Sequence, residues 1–171
     1  EQSPVKQVLF VSSTSVYKNL QKVVTEDEGA ENDQSVLFQI ERLFLDNIDF
    51  VCSVVRLSGL TGGNRHPGNF FRTGKVVAQP DAPVNLIHRE DCLGIILAII
   101  EQAAWGETFN ACADSHPSKR EFYTYTRKLL NQPAPEFLVN SENAYKIVSN
   151  HKVKQILGYQ FVHADLMAIN F

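Results

Sequence analysis

The sequence lacks an apolar run long enough to cross a bilayer as a helix. Its longest uninterrupted apolar stretch, residues 92–100, is about half of the roughly 20 residues that a membrane-spanning helix needs. The first residues show neither a basic segment nor an apolar segment of the kind found in secretion signals. We therefore expect a cytoplasmic protein with no membrane partner.

An excess of charge of one sign is also missing. The 171 residues carry 16 lysines and arginines against 19 aspartates and glutamates, which gives a formal net charge of -3. Proteins that bind nucleic acid usually present a strongly basic surface, so this balance predicts no nucleic-acid partner. The hydrophobic share of 44% is typical of a folded globular chain and argues against disorder.

Cysteine is scarce. Cys52, Cys92 and Cys112 are odd in number, widely spaced and set among apolar residues. This pattern favours reduced thiols inside a core over a disulfide framework or a zinc site. We expect no metal site in the chain.

The glycine pattern of a dinucleotide-binding loop is absent as well. None of the nine glycines falls into a G-x-G-x-x-G or G-x-x-G-x-x-G arrangement after a strand. Residues 59–63 (GLTGG) have the wrong spacing and no helix behind them. The element that usually cradles a pyrophosphate is therefore not in this sequence.

The first half of the sequence predicts a βαβ unit. Residues 8–11 form an apolar, β-favouring run before a serine-rich loop, which is typical of a strand that is buried on both faces of a parallel sheet. Helical spacing of apolar residues predicts a helix over 35–47, and residues 50–57 predict a second strand. A glycine-rich loop, residues 58–68, follows and lets the backbone approach a ligand closely.

The second half predicts shorter elements and no linker that would divide the chain. Asp91 is a candidate helix cap, Ser118 and Glu121 form the pattern of a capping box, and Gly158 suits a helix end. The patterns predict strands over 76–78, 84–88 and 108–112, and helices over 91–103, 118–130, 141–149 and 151–157.

Five motifs in register then resemble one family, the extended short-chain dehydrogenases/reductases, which are NAD(P)-dependent sugar-nucleotide epimerases and dehydratases. They are residues 10–17 (FVSSTSVY), 55–62 (VRLSGLTG), 85–91 (NLIHRED), 107–111 (ETFNA) and 156–159 (ILGY). The resemblance implies an α/β fold that is part of a Rossmann-like, doubly wound parallel sheet with a small C-terminal α/β region on the substrate side. It also implies that the glycine-rich N-terminal part of the family, roughly a hundred residues, is absent from this sequence.

The resemblance divides the single region into two segments and assigns a cofactor. Residues 1–62 would supply the last strands and helix of the Rossmann-like sheet, and residues 63–171 the mixed substrate-side segment. The implied cofactor is NAD or NADP, in a cleft edged by Ser12, Ser13, Ser58 and Gly59.

The family's chemistry uses a tyrosine as general base, a lysine four residues later, and a serine or threonine that binds the reacting oxygen. Ser13 matches the serine. Asp33 and Leu37 stand where the tyrosine and lysine are expected, and no Tyr-x-x-x-Lys occurs anywhere in the sequence. Tyr17 is the candidate for a substitute acid, although the family tyrosine at this position usually shapes the loop.

The resemblance also bears on the substrate. Gly59 stands where the family often has an asparagine, and Val84 where many epimerases have a diphosphate-binding arginine, so a standard UDP-sugar is not expected. Arg65 and His66, on the glycine-rich loop, are candidates to bind an anionic small-molecule substrate such as a sugar derivative.

Purely structural roles compete with these assignments. Ser12 and Ser13 could equally be turn residues that satisfy backbone groups. We expect His88 to fix the turn before a helix and Arg56 to be a paired structural charge rather than a phosphate ligand. The side chains of Arg65 and His66 could likewise be solvated without binding a ligand, because exposed charges on loops usually are.

Two functions remain open. The first is an NAD(P)-dependent epimerase/dehydratase-like oxidoreductase, catalytically impaired by the absence of Tyr-x-x-x-Lys. The second is a non-catalytic dinucleotide- or metabolite-binding sensor of the same fold. The helix over 35–47 has apolar residues on more than one face, including Phe38 and Leu45, and the resemblance implies a homodimer through it.

Overall fold

The structure, a computed structural model, describes residues 4–71, 75–139 and 144–169. This part of the chain consists of parallel strands with helices packed against them. The strands are β1 (Gln7–Ser13), β2 (Val23–Val24), β3 (Val51–Leu57), β4 (Gly59–Thr61), β5 (Val76–Val77), β6 (Leu86–His88), β7 (Thr108–Ala111), β8 (Glu136–Phe137) and β9 (Ile147–Val148). The helices are α1 (Val36–Leu45), α2 (Arg89–Glu101), α3 (Lys119–Leu129) and α4 (His151–Leu157).

The central sheet has the order β1-β3-β7, and both pairings are parallel. β7 comes from the predicted substrate-side segment, so this sheet draws on both of the segments that the sequence suggested. Three smaller parallel pairs, β2-β9, β4-β6 and β5-β8, surround it. The predicted mixed α/β fold with a parallel sheet is confirmed.

The burial of β1 on both faces stays a prediction, because it was made for a larger sheet. Among the described residues β1 pairs with β3 alone. Within this strand Ser12 is buried and Val11 is 49% exposed.

Most helices begin and end where the sequence predicts. Ser35 caps α1, Ser118 and Glu121 form the capping box of α3, and Gly158 ends α4 with a φ of 59°. The capping role predicted for Asp91 is wrong. His88 caps α2 through its Nδ1, which accepts the Glu90 N–H at 3.3 Å, as expected for a residue that fixes this turn.

Asp91 instead holds the C-terminal segment. Its buried carboxylate accepts the backbone N–H groups of Val162 and His163 at 2.8 and 3.0 Å, and the Tyr159 hydroxyl at 3.1 Å. A carboxylate with three donors is satisfied away from water. Asp91 therefore has a structural role, but it stabilises tertiary contacts and does not cap the helix.

The helix predicted over 141–149 is also wrong where it can be checked. Residues 141–143 lie outside the described residues, and Ile147–Val148 is a strand, β9, that pairs with β2. The Ser149 N–H donates to Val24 and the Val148 N–H to the Asn85 side chain, so tertiary partners satisfy a backbone that a helix would otherwise satisfy. Local sequence could not supply these partners.

The core forms where the helices meet the sheet. One cluster joins Val55 and Phe109 of the sheet to Ile95 and Ile99 of α2 and to Val153 of α4. The three cysteines are free and buried, as the sequence predicted. No helix in the described part of the chain is long and apolar enough to cross a membrane.

A row of polar residues crosses the sheet from β1 to β7. Ser12, Arg56 and Asn110 are direct neighbours in the strand register, and all three are buried. The guanidinium of Arg56 pairs with Glu31 at 2.6 Å and with Glu41 of α1 at 2.7 Å. Arg56 is therefore the paired structural charge that the sequence predicted.

The same guanidinium ties the loop after β1 to the sheet. Arg56 Nη1 donates to the Tyr17 hydroxyl at 2.6 Å, and this hydroxyl donates to the Asn110 side-chain oxygen at 2.9 Å. The Ser12 hydroxyl donates to Glu41 from the other side. We call Ser12, Tyr17, Glu31, Glu41, Arg56 and Asn110 the Arg56 network; it holds the loop and α1 against one face of the sheet.

Removal of the central charge is expected to destabilise the fold strongly. Arg56→Met would leave Glu31 and Glu41 buried without a cation, and the loss of one partner of a buried pair costs about 3–5 kcal/mol in the free energy of unfolding. Equilibrium unfolding in urea measures this loss.

The control is Arg42→Met, which removes the exposed ion pair of Arg42 with Asp46 on α1. We expect it to cost no more than about 1 kcal/mol. Equal losses in the two variants would contradict the role assigned to the Arg56 network.

Candidate functional site

A pocket of about 350 Å³ opens where β1 ends and β4 begins. In parallel sheets, ligands bind beyond the carboxyl ends of the strands, so this is where the fold favours a site. The pocket is lined by Ser13, Thr14, Ser15, Asn19, Gly59, Gln79, Ala82, Pro83, Val84, Asn85, Leu86, Lys119, Tyr123, Ala144, Tyr145 and Lys146.

Ser13 is the last residue of β1, and the pocket reaches it. Its Oγ accepts the Ser15 N–H at 3.1 Å and thereby caps the short 3-10 turn Thr14–Val16. Because an accepting oxygen keeps its own O–H, the Ser13 hydroxyl can still donate to a ligand. The predicted turn role and the predicted ligand role are thus compatible.

Gly59 lies on the wall of the pocket at the start of β4. A Cβ at this position would lie 2.6 Å from Leu86 Cδ2 and 3.3 Å from the Asn85 carbonyl oxygen, so a larger residue would require Leu86 to move. Ser58 is buried behind it, with its Oγ 3.4 Å from that of Thr14. Ser58 therefore supports the pocket from behind.

Tyr17 and Ser12 do not line the pocket. The Tyr17 side chain is 2% exposed, and its hydroxyl is held between Arg56 and Asn110. Burial raises the pKa of the Tyr17 phenol well above its ordinary value, although the neighbouring Arg56 opposes the rise. This geometry argues against the acid role predicted for Tyr17, and the Ser12 hydroxyl is likewise engaged by Glu41.

Arg65 and His66 also lie away from the lining residues. Arg65 is exposed, and its Nε donates to the Leu60 carbonyl at 3.1 Å. His66 Nδ1 accepts the Gly68 N–H at 3.0 Å and caps the 3-10 turn Pro67–Asn69. Burial lowers the pKa of His66. Both side chains have local structural contacts in this structure.

Two lysines that the sequence analysis missed line the pocket. Lys119 begins α3, and its Nζ donates to the Ala78 carbonyl at 3.2 Å and to Gln79 at 3.4 Å. Lys146 precedes β9, and its Nζ donates to the Tyr17 carbonyl at 2.8 Å. Burial lowers the pKa of each ammonium group.

No local signal could have found these lysines. Lys146 reaches the pocket because Asn85 binds its segment: the Asn85 amide donates to the Lys146 carbonyl at 2.9 Å and accepts the Val148 N–H at 2.8 Å. These contacts span about sixty positions of sequence. Tyr123 of α3 completes this wall, and burial raises its pKa to about 12.

Three side chains that lie outside the pocket are close enough together to hold a metal ion. His88, Glu90 and His163 each offer one ligand atom, and these atoms lie within 4.8 Å of one another. His163 Nε2 is already 2.9 Å from the Glu90 carboxylate, and His88 Nδ1 is used as the cap of α2. The contact between His163 and Glu90 links the C-terminal segment to the start of α2.

No family model matches the chain. Protein YeeZ of Escherichia coli K12 is 32% identical over 165 residues, which cover 94% of this chain and 60% of YeeZ. The chain thus spans about 60% of the length of the curated relative that it matches.

Solved structures show the same arrangement of elements. A functionally unknown conserved protein from Silicibacter pomeroyi aligns with a TM-score of 0.79 at 20% identity, over 94% of this chain and 63% of its own. MoeE5 in complex with UDP-glucuronic acid and NAD aligns at 0.74 and 17% identity, over 91% and 60%. The human epimerase family protein SDR39U1 with NADPH aligns at 0.72 and 20% identity, over 95% and 63%. The chain therefore has the mixed α/β, Rossmann-like fold of these proteins.

Proposed function

We propose that this chain is the C-terminal portion of an extended short-chain dehydrogenase/reductase-type protein that binds NAD or NADP. Its function would be epimerase/dehydratase-like oxidoreduction of a small molecule, such as a sugar derivative. The observation that carries this proposal is the pocket beyond the carboxyl end of β1, which brings Ser13 and Gly59 together on a fold shared with NAD- and NADPH-bound proteins.

On the cofactor side the proposal rests on Gly59 and on the backbone around Ser12, Ser13 and Ser58, and for the chemical step it rests on the Ser13 hydroxyl. Gly59 lets β4 pack closely against Leu86 and Asn85 at the pocket wall, and the Ser13 hydroxyl can donate to a reacting oxygen. The pyrophosphate would be held by preceding residues of a longer protein, since the matched relatives are longer than this chain. Division near residue 62 into a sheet segment and a substrate-side segment remains part of this proposal.

A second function, dinucleotide or metabolite binding without turnover, is favoured by one specific observation. The sequence has no Tyr-x-x-x-Lys, and the hydroxyl of Tyr17 is locked in the Arg56 network. Without a tyrosine base in the pocket, proton transfer has to use another group. Binding and turnover therefore need to be measured separately.

The oxidoreductase proposal predicts that Ser13→Ala weakens chemistry and not cofactor binding. In the full-length protein, we expect NADH or NADPH to bind in a fluorescence titration. Turnover with a panel of sugars and aldehydes should fall about 100-fold in Ser13→Ala, because a hydrogen bond to the reacting oxygen is lost.

Thr124→Ala is the control, because it removes an exposed hydroxyl from α3 outside the pocket lining. Cofactor binding without turnover in the unchanged protein would support the sensor alternative. Absence of both NADH and NADPH binding would refute the oxidoreductase and the dinucleotide-binding alternative, and would leave only metabolite binding.

The proposal includes a homodimer through α1. Leu37 and Phe38 of this helix pack on the core, whereas Val36 and Leu43 are 70% and 73% exposed. Exposed apolar side chains on one helix are typical of a subunit interface. This supports the interface that the family resemblance implies for residues 35–47.

Leu43→Asp is expected to shift the dimer toward monomer, because a carboxylate buried at an interface without a partner is strongly unfavourable. Light scattering coupled to size-exclusion chromatography measures the mass. Leu129→Asp is a matched change at a 39% exposed leucine of α3 and should leave the mass unchanged. A monomeric unchanged protein, or equal effects of the two variants, would rule out the α1 interface.

A further inference from the structure

Two lysines from distant parts of the sequence line the pocket. Lys119 comes from the start of α3 and Lys146 from the segment before β9, and both line the same cavity as Ser13. Their Nζ atoms are anchored by neutral oxygens: Ala78 and Gln79 for Lys119, and Tyr17 for Lys146. An ammonium group has three donors, so each keeps donor capacity beyond these bonds.

Neither lysine has an acidic partner in the part of the chain that the structure describes. The ion pairs found there involve other cations, and the described lining residues of the pocket include no aspartate or glutamate. The Arg56 network shows the contrast, because its buried cation has two carboxylates in direct contact. Two half-buried cations with no carboxylate among the described residues of the lining favour the binding of an anion.

We propose that Lys119 and Lys146 form an anion subsite that binds a phosphate or carboxylate group of the substrate. This inference rests on the proposed function for its view of the pocket as the substrate side, next to Ser13. The anionic group anchors the ligand between the two ammonium groups, and the remainder of the ligand extends toward Ser13 and Gly59. Lys119 and Lys146 are binding residues here and take no part in a chemical step.

The surroundings fit a small polar metabolite. The cavity of about 350 Å³ lies at the lower end of the roughly 300–1,000 Å³ that is usual for small-molecule sites. Tyr123, Tyr145 and Asn85 add rings and an amide to the wall, which suits a ligand with hydroxyl groups. Burial depresses the pKa of both lysines, and a bound anion would offset this by stabilising their charged forms.

The test compares three probes that share a sugar ring: glucose 6-phosphate, glucuronate and uncharged glucose. Isothermal titration calorimetry at low ionic strength is done on the full-length protein. We expect glucose 6-phosphate, glucuronate or both to bind at least about tenfold more tightly than glucose, because only they carry an anion. Which of the two binds more tightly distinguishes a phosphate site from a carboxylate site.

Lys119→Met and Lys146→Met should each weaken the binding of the charged probe about tenfold. Lys128→Met is the matched control, because Lys128 lies on α3 as Lys119 does but is exposed and outside the pocket lining. If loss of the Lys146 bond to Tyr17 prevents folding, Lys119→Met alone carries the test. Equal binding of all three probes, no binding of any, or equal effects of Lys119→Met and Lys128→Met would each overturn the proposal.

A parallel NADH titration separates this inference from the proposed function. Anion binding that depends on the lysines, in a protein that binds neither NADH nor NADPH, would refute the dinucleotide function and leave the subsite in place. Cofactor binding with no lysine-dependent anion binding would refute the subsite and leave the proposed function in place.

Discussion

The buried guanidinium of Arg56 is the constraint on which the rest of the structure depends. A cation at the centre of a sheet is tolerated only with anionic partners, so Glu31 and Glu41 must come to it. Glu41 brings α1 onto the sheet, and Glu31 brings the long loop that follows β1. With this loop comes Tyr17, whose hydroxyl accepts from Arg56 and donates to the side-chain oxygen of Asn110.

This arrangement explains why a tyrosine close to the strand end does not reach the pocket. Because the Tyr17 hydroxyl is buried and bonded to Arg56 and Asn110, it is not available to a ligand in the pocket. Its backbone carbonyl still contributes, because it anchors the ammonium group of Lys146. The same residue thus links the buried charge network to the wall of the pocket.

The pocket itself is made by long-range contacts. Parallel strands end at one edge of the sheet, and that edge exposes Ser13 and the β4 backbone around Gly59. Asn85 then fixes the segment of Lys146, while the capping box starts α3 with Lys119 as its first residue. The described lining of the cavity therefore contains two lysines and no carboxylate, although the chain as a whole is slightly acidic.

The sequence by itself determined the parallel α/β class, α1 to α4 and their main caps, the buried free cysteines, and the pairing of Arg56. These follow from local periodicity, from short-range side-chain to backbone bonds, and from the cost of burying an unpaired charge. Only the tertiary structure decided that residues 147–148 form a strand and that Asp91 binds the C-terminal segment. It also decided which side chains share the pocket with Ser13. The physical reason is that their partners lie tens of residues away in the chain, and a local pattern contains no information about which distant donor, acceptor or charge will meet it.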